Sequence, residues 1–256
     1  FASDHVTSDG WDDLVFARAT GPTNVRLSVA RSDGTGYPAP GSWWSGDLGA
    51  DPDQAKLLVG DWNGDQREDA ALLLRGPKGA ATLKVFLHKK GAGFQAPVTW
   101  WTGLLDPQVT QAMSGDVNGD GRTDLVVVTD LGEGGRRFDV AFSTSAVPAS
   151  GLGPLKQRFL APDLIGDVVK QVVGDVTRDG REDVVLLVDA GTRTRIDILR
   201  APAGAKALQR TQAWRSTTDG RLPLGKVKLA TSDVDDDGLM DLVVFRDRGA
   251  NGTEIL

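Results

Sequence analysis

The sequence predicts an all-β fold built from repeated units, and three observations support this prediction. An acidic motif recurs five times, with its central aspartates 56, 55, 59 and 58 residues apart. Each copy is followed by an apolar run of strand length, such as residues 125–128 or 184–188. No stretch keeps apolar residues at helical spacing over several turns, because 32 glycines and 12 prolines interrupt the chain. A repeat of this length made of strands and turns is typical of a β-propeller, in which each repeat is one blade.

Each repeat is predicted to hold four strands. The order is an apolar segment, the acidic motif, a second strand, a glycine-rich turn, an alternating third strand and a fourth strand. In the second repeat, the strands are expected at residues 56–60, 70–74, 82–88 and 97–101. There the stretch LKVFLH alternates with the two-residue period of a sheet.

The chain is predicted to be one β-propeller segment. Its blades are expected at residues 1–50, 51–105, 106–164, 165–223 and 224–256. Blade 1 is expected to have an incomplete first strand, and the last blade is expected to be incomplete as well. These ends favour a segment of a larger ring, and a sealed five-bladed ring is the alternative.

Composition and charge exclude several kinds of partner. The formal net charge is −6, so we expect no nucleic-acid binding, which needs a basic surface. The longest apolar runs are too short to cross a bilayer, which predicts no membrane insertion. Cysteine is absent, which excludes disulfides and thiolate metal sites. No basic segment followed by an apolar stretch opens the sequence, so a signal peptide is either absent or already removed.

The repeated motif reads D-x-[DNT]-x-D-x-x-x-D, which places side-chain oxygens at positions 1, 3, 5 and 9 around a turn. The copies are named loop 1 (5–13), loop 2 (61–69), loop 3 (116–124), loop 4 (175–183) and loop 5 (233–241). The predicted side-chain ligands of the four intact loops are Asp61, Asn63, Asp65, Asp69; Asp116, Asn118, Asp120, Asp124; Asp175, Thr177, Asp179, Asp183; and Asp233, Asp235, Asp237, Asp241. Position 7 is expected to add a backbone carbonyl, from Arg67, Arg122, Arg181 and Leu239.

Loop 1 departs from this pattern. It keeps only Asp9 and Asp13, and it has His5 and Thr7 where acids are expected. We expect its site to be empty or to fill only at high calcium. Loop 5, with four carboxylates and no basic residue inside it, is predicted to bind most tightly.

Hard oxygen ligands at this spacing select calcium (Ca2+). Carboxylates a few ångströms apart repel each other by about 4 kcal/mol per pair at an effective dielectric of about 20, and a divalent cation removes that cost. The calcium loop of an EF-hand begins with the same sequence pattern but needs a glutamate at position 12. These loops instead have Leu72, Val127, Leu186 and Val244 at that position. A solvated turn is the alternative for any single loop, and four copies in one register argue against it.

The acidic loops resemble those of FG-GAP, or VCBS-type, repeats, as in integrin α-subunit propellers and certain fungal propeller lectins. The resemblance extends over essentially the whole chain. It implies a calcium loop between the first two strands of each blade and a ring that commonly holds seven blades. The composition and the WWxG strands are also similar to those of secreted actinobacterial repeat proteins.

The fourth strands carry paired tryptophans, SWWSG at 42–46 and TWWTG at 99–103. Strand alternation predicts that the two rings of each pair point to opposite faces. One interpretation is that all of them pack between blades. The other is that Trp44 and Trp101 line pockets between blades and stack on a sugar ring.

Catalysis finds little support in the sequence, and we expect no enzyme activity. The chain has two histidines, no cysteine and no nucleophile motif, and His88 is predicted to be a solvated strand end. The aspartates are already assigned to calcium. We therefore expect an extracellular, calcium-stabilised binding module that recognises a glycan or a cell-surface protein. The alternative is a structural or targeting domain of a larger secreted hydrolase or toxin.

Overall fold

The computed structural model describes residues 2–4, 6, 7, 9, 11–53, 55–91, 93–106, 109–144, 151–165, 169–202, 207–216, 221–235, 237 and 240–256, with backbone alone for 2–4, 110 and 251. These residues form five antiparallel sheets, here called blades 1 to 5. Within each sheet the strands pair in chain order. The predicted all-β propeller architecture is therefore confirmed in the form of five blades with three or four strands each.

The strand bounds follow the repeat. Blade 1 contains β1 (Ala2–Asp4), β2 (Asp13–Ala19), β3 (Asn24–Ala30) and β4 (Gly41–Asp47). Blade 2 contains β5 (Lys56–Gly60), β6 (Asp69–Arg75), β7 (Ala80–Phe86) and β8 (Val98–Leu104). Blade 3 contains β9 (Val109–Gly115), β10 (Asp124–Asp130), β11 (Arg136–Ala141) and β12 (Lys156–Ala161).

The remaining blades differ in strand number. Blade 4 contains β13 (Val169–Gly174), β14 (Asp183–Asp189), β15 (Thr194–Arg200) and β16 (Gln209–Arg215). Blade 5 contains β17 (Val227–Ser232), β18 (Asp241–Asp247) and β19 (Thr253–Ile255). Short 3-10 turns occur at Pro77–Gly79, Gly132–Gly134, Leu224–Lys226 and Gly249–Asn251. No helix among the described residues has the length and apolarity to span a membrane.

Each acidic loop joins the first strand of its blade to the second. The second strand begins in all five blades at the aspartate of motif position 9, namely Asp13, Asp69, Asp124, Asp183 and Asp241. In β6, β10 and β14 the residues are buried on both faces of the sheet. Burial on both faces explains why these strands read as continuous apolar runs without alternation.

A β-bulge recurs between the third and fourth strands of blades 1 to 4. The pairing skips one residue of the fourth strand, which is Trp43, Trp100, Arg158 and Ala213 in turn. A bulge places two residues opposite one and breaks the regular alternation of faces. The first tryptophan of each pair is therefore the extra residue, which the sequence pattern did not reveal.

The chain divides into two compact units. The first comprises Phe1–Pro107, Gly121–Leu125 and Ala141–Pro154, and the second comprises Gln108–Asp120, Val126–Val140 and Leu155–Leu256. The first unit has a core cluster drawn from blades 1 and 2, which includes Val15, Leu27, Leu72, Phe86 and Phe94. The second has a smaller cluster of Leu187, Leu224, Val227 and Val244.

Candidate metal centres

The carboxylate of Asp61 organises loop 2. Its Oδ1 accepts hydrogen bonds from the backbone N–H groups of Gly64 at 2.8 Å and Asp65 at 3.0 Å, and its Oδ2 accepts one from Gln66 at 2.7 Å. Asp175 does the same in loop 4, accepting from the N–H groups of Asp179 and Gly180. The first aspartate thus folds the backbone into a tight turn around the other acidic side chains.

This turn depends on left-handed backbone at positions 4 and 6. The φ angles are 75° and 63° for Gly64 and Gln66, and 59° and 73° for Arg178 and Gly180. Loop 3 has glycine at both positions, with φ angles of 76° and 78°. Glycine adopts this conformation freely, whereas a side chain there costs about 1–2 kcal/mol. Gln66 and Arg178 are therefore held in a strained conformation by their loops.

The aspartates at position 9 form a second repeated feature. They are fully buried in loops 1 to 4. In three of these loops the Oδ1 atom accepts a hydrogen bond from the backbone N–H of the residue nineteen positions later. The donors are Ser32 to Asp13 at 2.9 Å, His88 to Asp69 at 2.7 Å and Ser143 to Asp124 at 2.8 Å.

In loop 4 the equivalent donor is missing. The residue nineteen positions after Asp183 is Pro202, which has no N–H to donate. Neither buried carboxylate oxygen of Asp183 accepts a hydrogen bond of good geometry, although the Thr177 hydroxyl and the Val176 N–H lie close enough to lower its pKa in part. Burial, together with the charges of Asp179 and Asp175, raises the pKa of Asp183 to about 6.

In loop 2, one carboxylate oxygen of the position-9 aspartate also lacks a well-formed hydrogen bond. Oδ2 of Asp69 is buried and accepts no hydrogen bond of good geometry, although the Trp62 N–H lies close enough to lower the pKa in part. Burial raises the pKa of Asp69 to about 8, and the neighbouring charges of Asp65 and Asp61 contribute in the same direction. An unpartnered buried carboxylate is costly unless a cation or a proton neutralises it. The residues of loops 2 and 4 therefore fit a divalent cation bound by oxygen ligands.

Loop 1 satisfies its carboxylates internally. The Thr7 hydroxyl lies 2.8 Å from Oδ2 of Asp13 and 2.9 Å from Oδ2 of Asp9 and donates its single proton to one of them at a time, and the Thr7 N–H donates to Oδ2 of Asp13 at 2.7 Å. Together with the Ser32 N–H on Oδ1, both oxygens of Asp13 are hydrogen-bonded. The residues of loop 1 do not show the deficit seen in loops 2 and 4. His5 lies outside the described residues.

Loop 5 presents the most exposed group of acids. Single carboxylate oxygens of Asp233, Asp235 and Asp237 lie within 4.8 Å of one another, close enough to hold a metal ion. The Asp237 N–H donates to Asp233, and the Val234 N–H donates to Oδ2 of Asp241 at 3.0 Å. Leu239, the predicted carbonyl ligand, lies outside the described residues.

A guanidinium from a neighbouring loop reaches loop 5. The side chain of Arg178 in loop 4 donates to the backbone carbonyl of Asp237 at 2.6 Å. The ranking of loop 5 as the tightest site considered only basic residues inside that loop. A cation there shares its surroundings with Arg178, which sequence spacing did not indicate.

Loops 2 and 4 also contain an ion pair that the sequence analysis missed. Position 7 was assigned a role through its backbone carbonyl, whereas its side chain pairs with the acid at position 5. Arg67 pairs with Asp65, and Arg181 pairs with Asp179. The guanidinium offsets part of the negative charge, so any bound cation would share this aspartate with the arginine.

Successive acidic loops are joined by a repeated backbone hydrogen bond. The N–H at position 8 of one loop donates to the carbonyl at position 1 of the preceding loop, from Thr123 to Asp61, Glu182 to Asp116 and Met240 to Asp175. In the second unit the side chain of Glu182 also accepts from the N–H of Asp116 at 2.6 Å. In loop 3, Oδ1 of Asp116 accepts from Gly119 at 2.7 Å and from Asp120 at 3.1 Å.

The glycine before the first aspartate makes this approach possible. A Cβ on Gly60 would come within 2.4 Å of the Thr123 side chain, and one on Gly115 within 2.3 Å of Glu182. Before loops 2 and 3 there is room for glycine but not for a larger residue, because the next loop packs directly against that position.

The predicted sugar-stacking tryptophans are largely covered. Trp101 is only 8% exposed, and Trp44 is half buried with its ring edge-on to Phe86 at a centroid distance of 4.9 Å. Trp43 and Trp44 pack against the same core cluster, so the expectation that alternation sends them to opposite faces is wrong. The bulge at Trp43 is the reason. The burial favours packing between strands, and stacking on a sugar stays a prediction.

The interpretation of His88 as a solvated strand end is wrong. Its side chain is buried, with its ring centroid 5.2 Å from that of Trp43 and 6.2 Å from that of Phe94. Burial lowers the pKa of His88, and the nearby Arg67 lowers it further. His88 is held there because its backbone N–H is the donor to Asp69.

Two exposed aromatic residues on blade 1 were not predicted from the sequence as candidate binding residues. Trp11 is 52% exposed and Tyr37 is 50% exposed. The Trp11 ring lies so close to Gly34 that a Cβ there would be 2.9 Å from it, and the Tyr37 hydroxyl donates to the carbonyl of Asp12 at 3.2 Å. The one sequence signal for their exposure is that both residues lie in loops, outside the apolar runs that form the strands.

Comparison with known proteins supports the propeller assignment. Residues 61–127 match the model of the FG-GAP-like repeat, which confirms the resemblance of the acidic loops. The structure is similar to that of an Agrocybe aegerita lectin, described as specifically recognising non-reducing terminal N-acetylglucosamine. The TM-score is 0.57 at 15% identity, with 97% of this chain and 67% of that chain covered. At this identity the likeness shows a shared β-propeller fold. No curated protein matches the sequence.

Proposed function

We propose that this chain is a calcium-stabilised β-propeller that binds glycan outside the cell. The observation that supports glycan binding best is the half-exposed pair of aromatic rings on blade 1, in a fold shared with a lectin. Tryptophan and tyrosine combine a large apolar face with a polar tip, which suits the mixed surface of a sugar ring. The fold likeness to a lectin, which is not an enzyme, agrees with the expectation of a non-catalytic protein.

Calcium is proposed as the stabilising ion because of the unpartnered oxygens of Asp69 and Asp183. In loop 2 the ion would be held by Asp61, Asn63, Asp65 and Asp69, and in loop 4 by Asp175, Thr177, Asp179 and Asp183. Loops 3 and 5 carry the corresponding residues. When bound, calcium supplies positive charge and accepts lone pairs from buried oxygens that have no other partner. Loop 1 is proposed to do without it.

An extracellular location follows from this use of calcium. Loops of oxygen ligands commonly bind calcium at micromolar or weaker affinity, so they would be filled outside a cell and largely empty in the cytosol. The proposed partner is a glycan, with a cell-surface protein or further modules of a larger secreted chain as the alternatives. We also propose that the five blades belong to a ring of seven, the number that the FG-GAP resemblance implies.

A glycan array probed with this chain in calcium tests the proposal. We expect retention of a defined set of glycans, lost in the Trp11→Ala variant. Trp214→Ala is the matched control because Trp214 is 47% exposed on a different blade. Trp44→Ala and Trp101→Ala would test the stacking predicted for those rings, with a melting curve to show that each variant is folded. Absence of retention of any glycan by the folded, calcium-loaded chain would overturn the proposed function.

A further inference from the structure

A depression on blade 4 is lined by three arginines. It encloses about 540 Å³, and its lining is Ala190, Thr192, Arg193, Arg195, Gln212 and Arg215. The chain as a whole carries a net charge of −6, so three guanidinium groups in one depression run against the overall composition. None of these residues belongs to the acidic loops or to the exposed aromatic pair of blade 1.

The depression is built on ordered backbone. In the turn between β14 and β15, the Ala190 N–H donates to the carbonyl of Arg193 at 2.8 Å. Asp189 fixes the same turn by accepting from the Gly191 N–H at 3.0 Å and by pairing with Arg221. Arg195 and Arg215 are directly opposite each other on β15 and β16, so they share one face of the sheet.

The charges of the depression do not cancel. Asp163 and Asp197 each pair with two arginines, Arg195 and Arg210. Arg195 lies 3.0 Å from Asp163 and 2.9 Å from Asp197. Arg210 lies 2.7 Å from Asp163 and also pairs with Asp197. Two acids thus balance two arginines. Among the described residues no ion pair involves Arg193 or Arg215. These two guanidinium groups leave the depression with an excess of positive charge.

We propose that this depression is a binding site for an oxyanion carried by an acidic saccharide, either a hexuronate carboxylate or a sulfate ester. The guanidinium fork of arginine matches the geometry of such oxyanions and forms charge-assisted, bidentate hydrogen bonds with them. Thr192 and Gln212 line the same depression and supply hydrogen-bonding groups for sugar hydroxyls. Its volume lies in the range of ordinary small-ligand sites. That the oxyanion belongs to a saccharide rests on the proposed glycan binding, whereas the oxyanion site itself does not depend on it.

Calorimetric titration at low ionic strength tests this inference. The ligands are a galacturonic acid trimer, a sulfated N-acetylglucosamine trimer, the unsulfated trimer and sodium sulfate. The variant is Arg193→Ala/Arg215→Ala, which leaves Arg195 to bridge its two aspartates. We expect affinity for at least one acidic trimer to fall by about tenfold or more, as expected for loss of charge-assisted hydrogen bonds. Affinity for the unsulfated trimer should not change.

Two control variants sharpen the result. Arg18→Ala/Arg26→Ala removes the same charge from an exposed cross-strand pair on blade 1 and should leave acidic binding unchanged. Arg193→Lys/Arg215→Lys keeps the charge without the fork and should recover only part of the affinity. The carboxylate and sulfate arms tell the two sources of the oxyanion apart.

The outcomes separate this inference from the proposed function. Equal loss of acidic binding in both alanine pairs would overturn the inference, because binding would then follow net charge alone. Sulfate binding as tight as that of the sulfated trimer would overturn the saccharide as carrier. If the unsulfated trimer binds and neither acidic trimer binds more tightly, the inference is wrong and the proposed function stands. Acidic binding that depends on Arg193 and Arg215 supports the inference even where a neutral glycan is not bound.

Discussion

Loops 1 and 4 both have a threonine at motif position 3 and a buried aspartate at position 9, yet the two pairs of residues are in opposite states. In loop 1 the Thr7 N–H donates to one oxygen of Asp13, the Thr7 hydroxyl is shared between Asp9 and Asp13, and Ser32 supplies a backbone N–H to the other oxygen of Asp13. In loop 4 neither oxygen of Asp183 accepts a hydrogen bond of good geometry, and the Thr177 hydroxyl and the Val176 N–H approach it only closely enough to oppose the rise of its pKa.

The difference shows that one motif has two ways to neutralise a buried acid. A loop that supplies its own donors has satisfied its carboxylates without an ion. A loop whose donors are missing leaves oxygens that only a proton or a cation can satisfy, since desolvation penalises an isolated carboxylate. The difference arises at the residue nineteen positions after the buried aspartate. In loop 1 it is Ser32, which donates its N–H, and in loop 4 it is Pro202, which has none.

Removal of calcium should give the largest effect. A site held at a hundred times its dissociation constant contributes about 2.7 kcal/mol to folding stability, which corresponds to about 5–10 °C in melting temperature for a domain of this size. We expect melting in a chelator to occur at least that much lower than in calcium, with magnesium as the control ion. Identical melting curves in calcium and chelator would contradict the role given to the unpartnered oxygens.

Matched substitutions at position 9 should separate the two loops. Asp183→Asn should abolish the stability that calcium adds through loop 4 and should change little in chelator, because no hydrogen bond of good geometry is broken. Asp13→Asn should lower stability by about 1–3 kcal/mol in both conditions, since it disrupts bonds from Thr7 and Ser32. Thermal melting of both variants with and without calcium measures this. A calcium-dependent loss in Asp13→Asn would place an ion in loop 1.

Substitution of the threonine at position 3 should also affect stability differently in loops 1 and 4. Thr7→Ala removes the hydroxyl that donates to either Asp9 or Asp13, and we expect a loss of about 1–2 kcal/mol that calcium does not alter. Thr177→Ala removes a hydroxyl whose contact with Asp183 falls short of a well-formed hydrogen bond, so in chelator it should cost less stability than Thr7→Ala does. In calcium titrations it should weaken binding. Equal losses for both variants in chelator would contradict the comparison.

Restoring the missing donor should have the smallest effect. Pro202→Ser places an N–H where Ser32 has one, and a bond to a buried carboxylate outweighs the loss of proline rigidity by about 1 kcal/mol. We expect higher stability in chelator and a smaller increment from calcium. Pro38→Ser, at an exposed proline, is the control for rigidity alone and should be slightly destabilising. Chemical denaturation in chelator measures both, and destabilisation by Pro202→Ser equal to the control would show that the donor is not needed.

The amino-acid sequence by itself determined the repeat, the strand order and the position of the acidic loops. These features are local: aspartate spacing sets the turn, and apolar runs bounded by glycine set the strands. The predicted strands of blade 2 agree with β5 to β8 within a few residues. The FG-GAP-like resemblance was confirmed at residues 61–127 for the same reason.

Only the tertiary structure decided which oxygens are satisfied, because each donor lies far along the chain from its acceptor. Ser32 and Asp13 are nineteen residues apart, and the absence of a donor at Pro202 has a meaning only once that pairing is known. The bulge at Trp43, the burial of His88 and the reach of Arg178 to Asp237 are likewise products of packing between strands and loops. The arginine depression joins two segments, 190–195 and 212–215, and the pairing of β15 with β16 is what brings Arg215 beside Arg195.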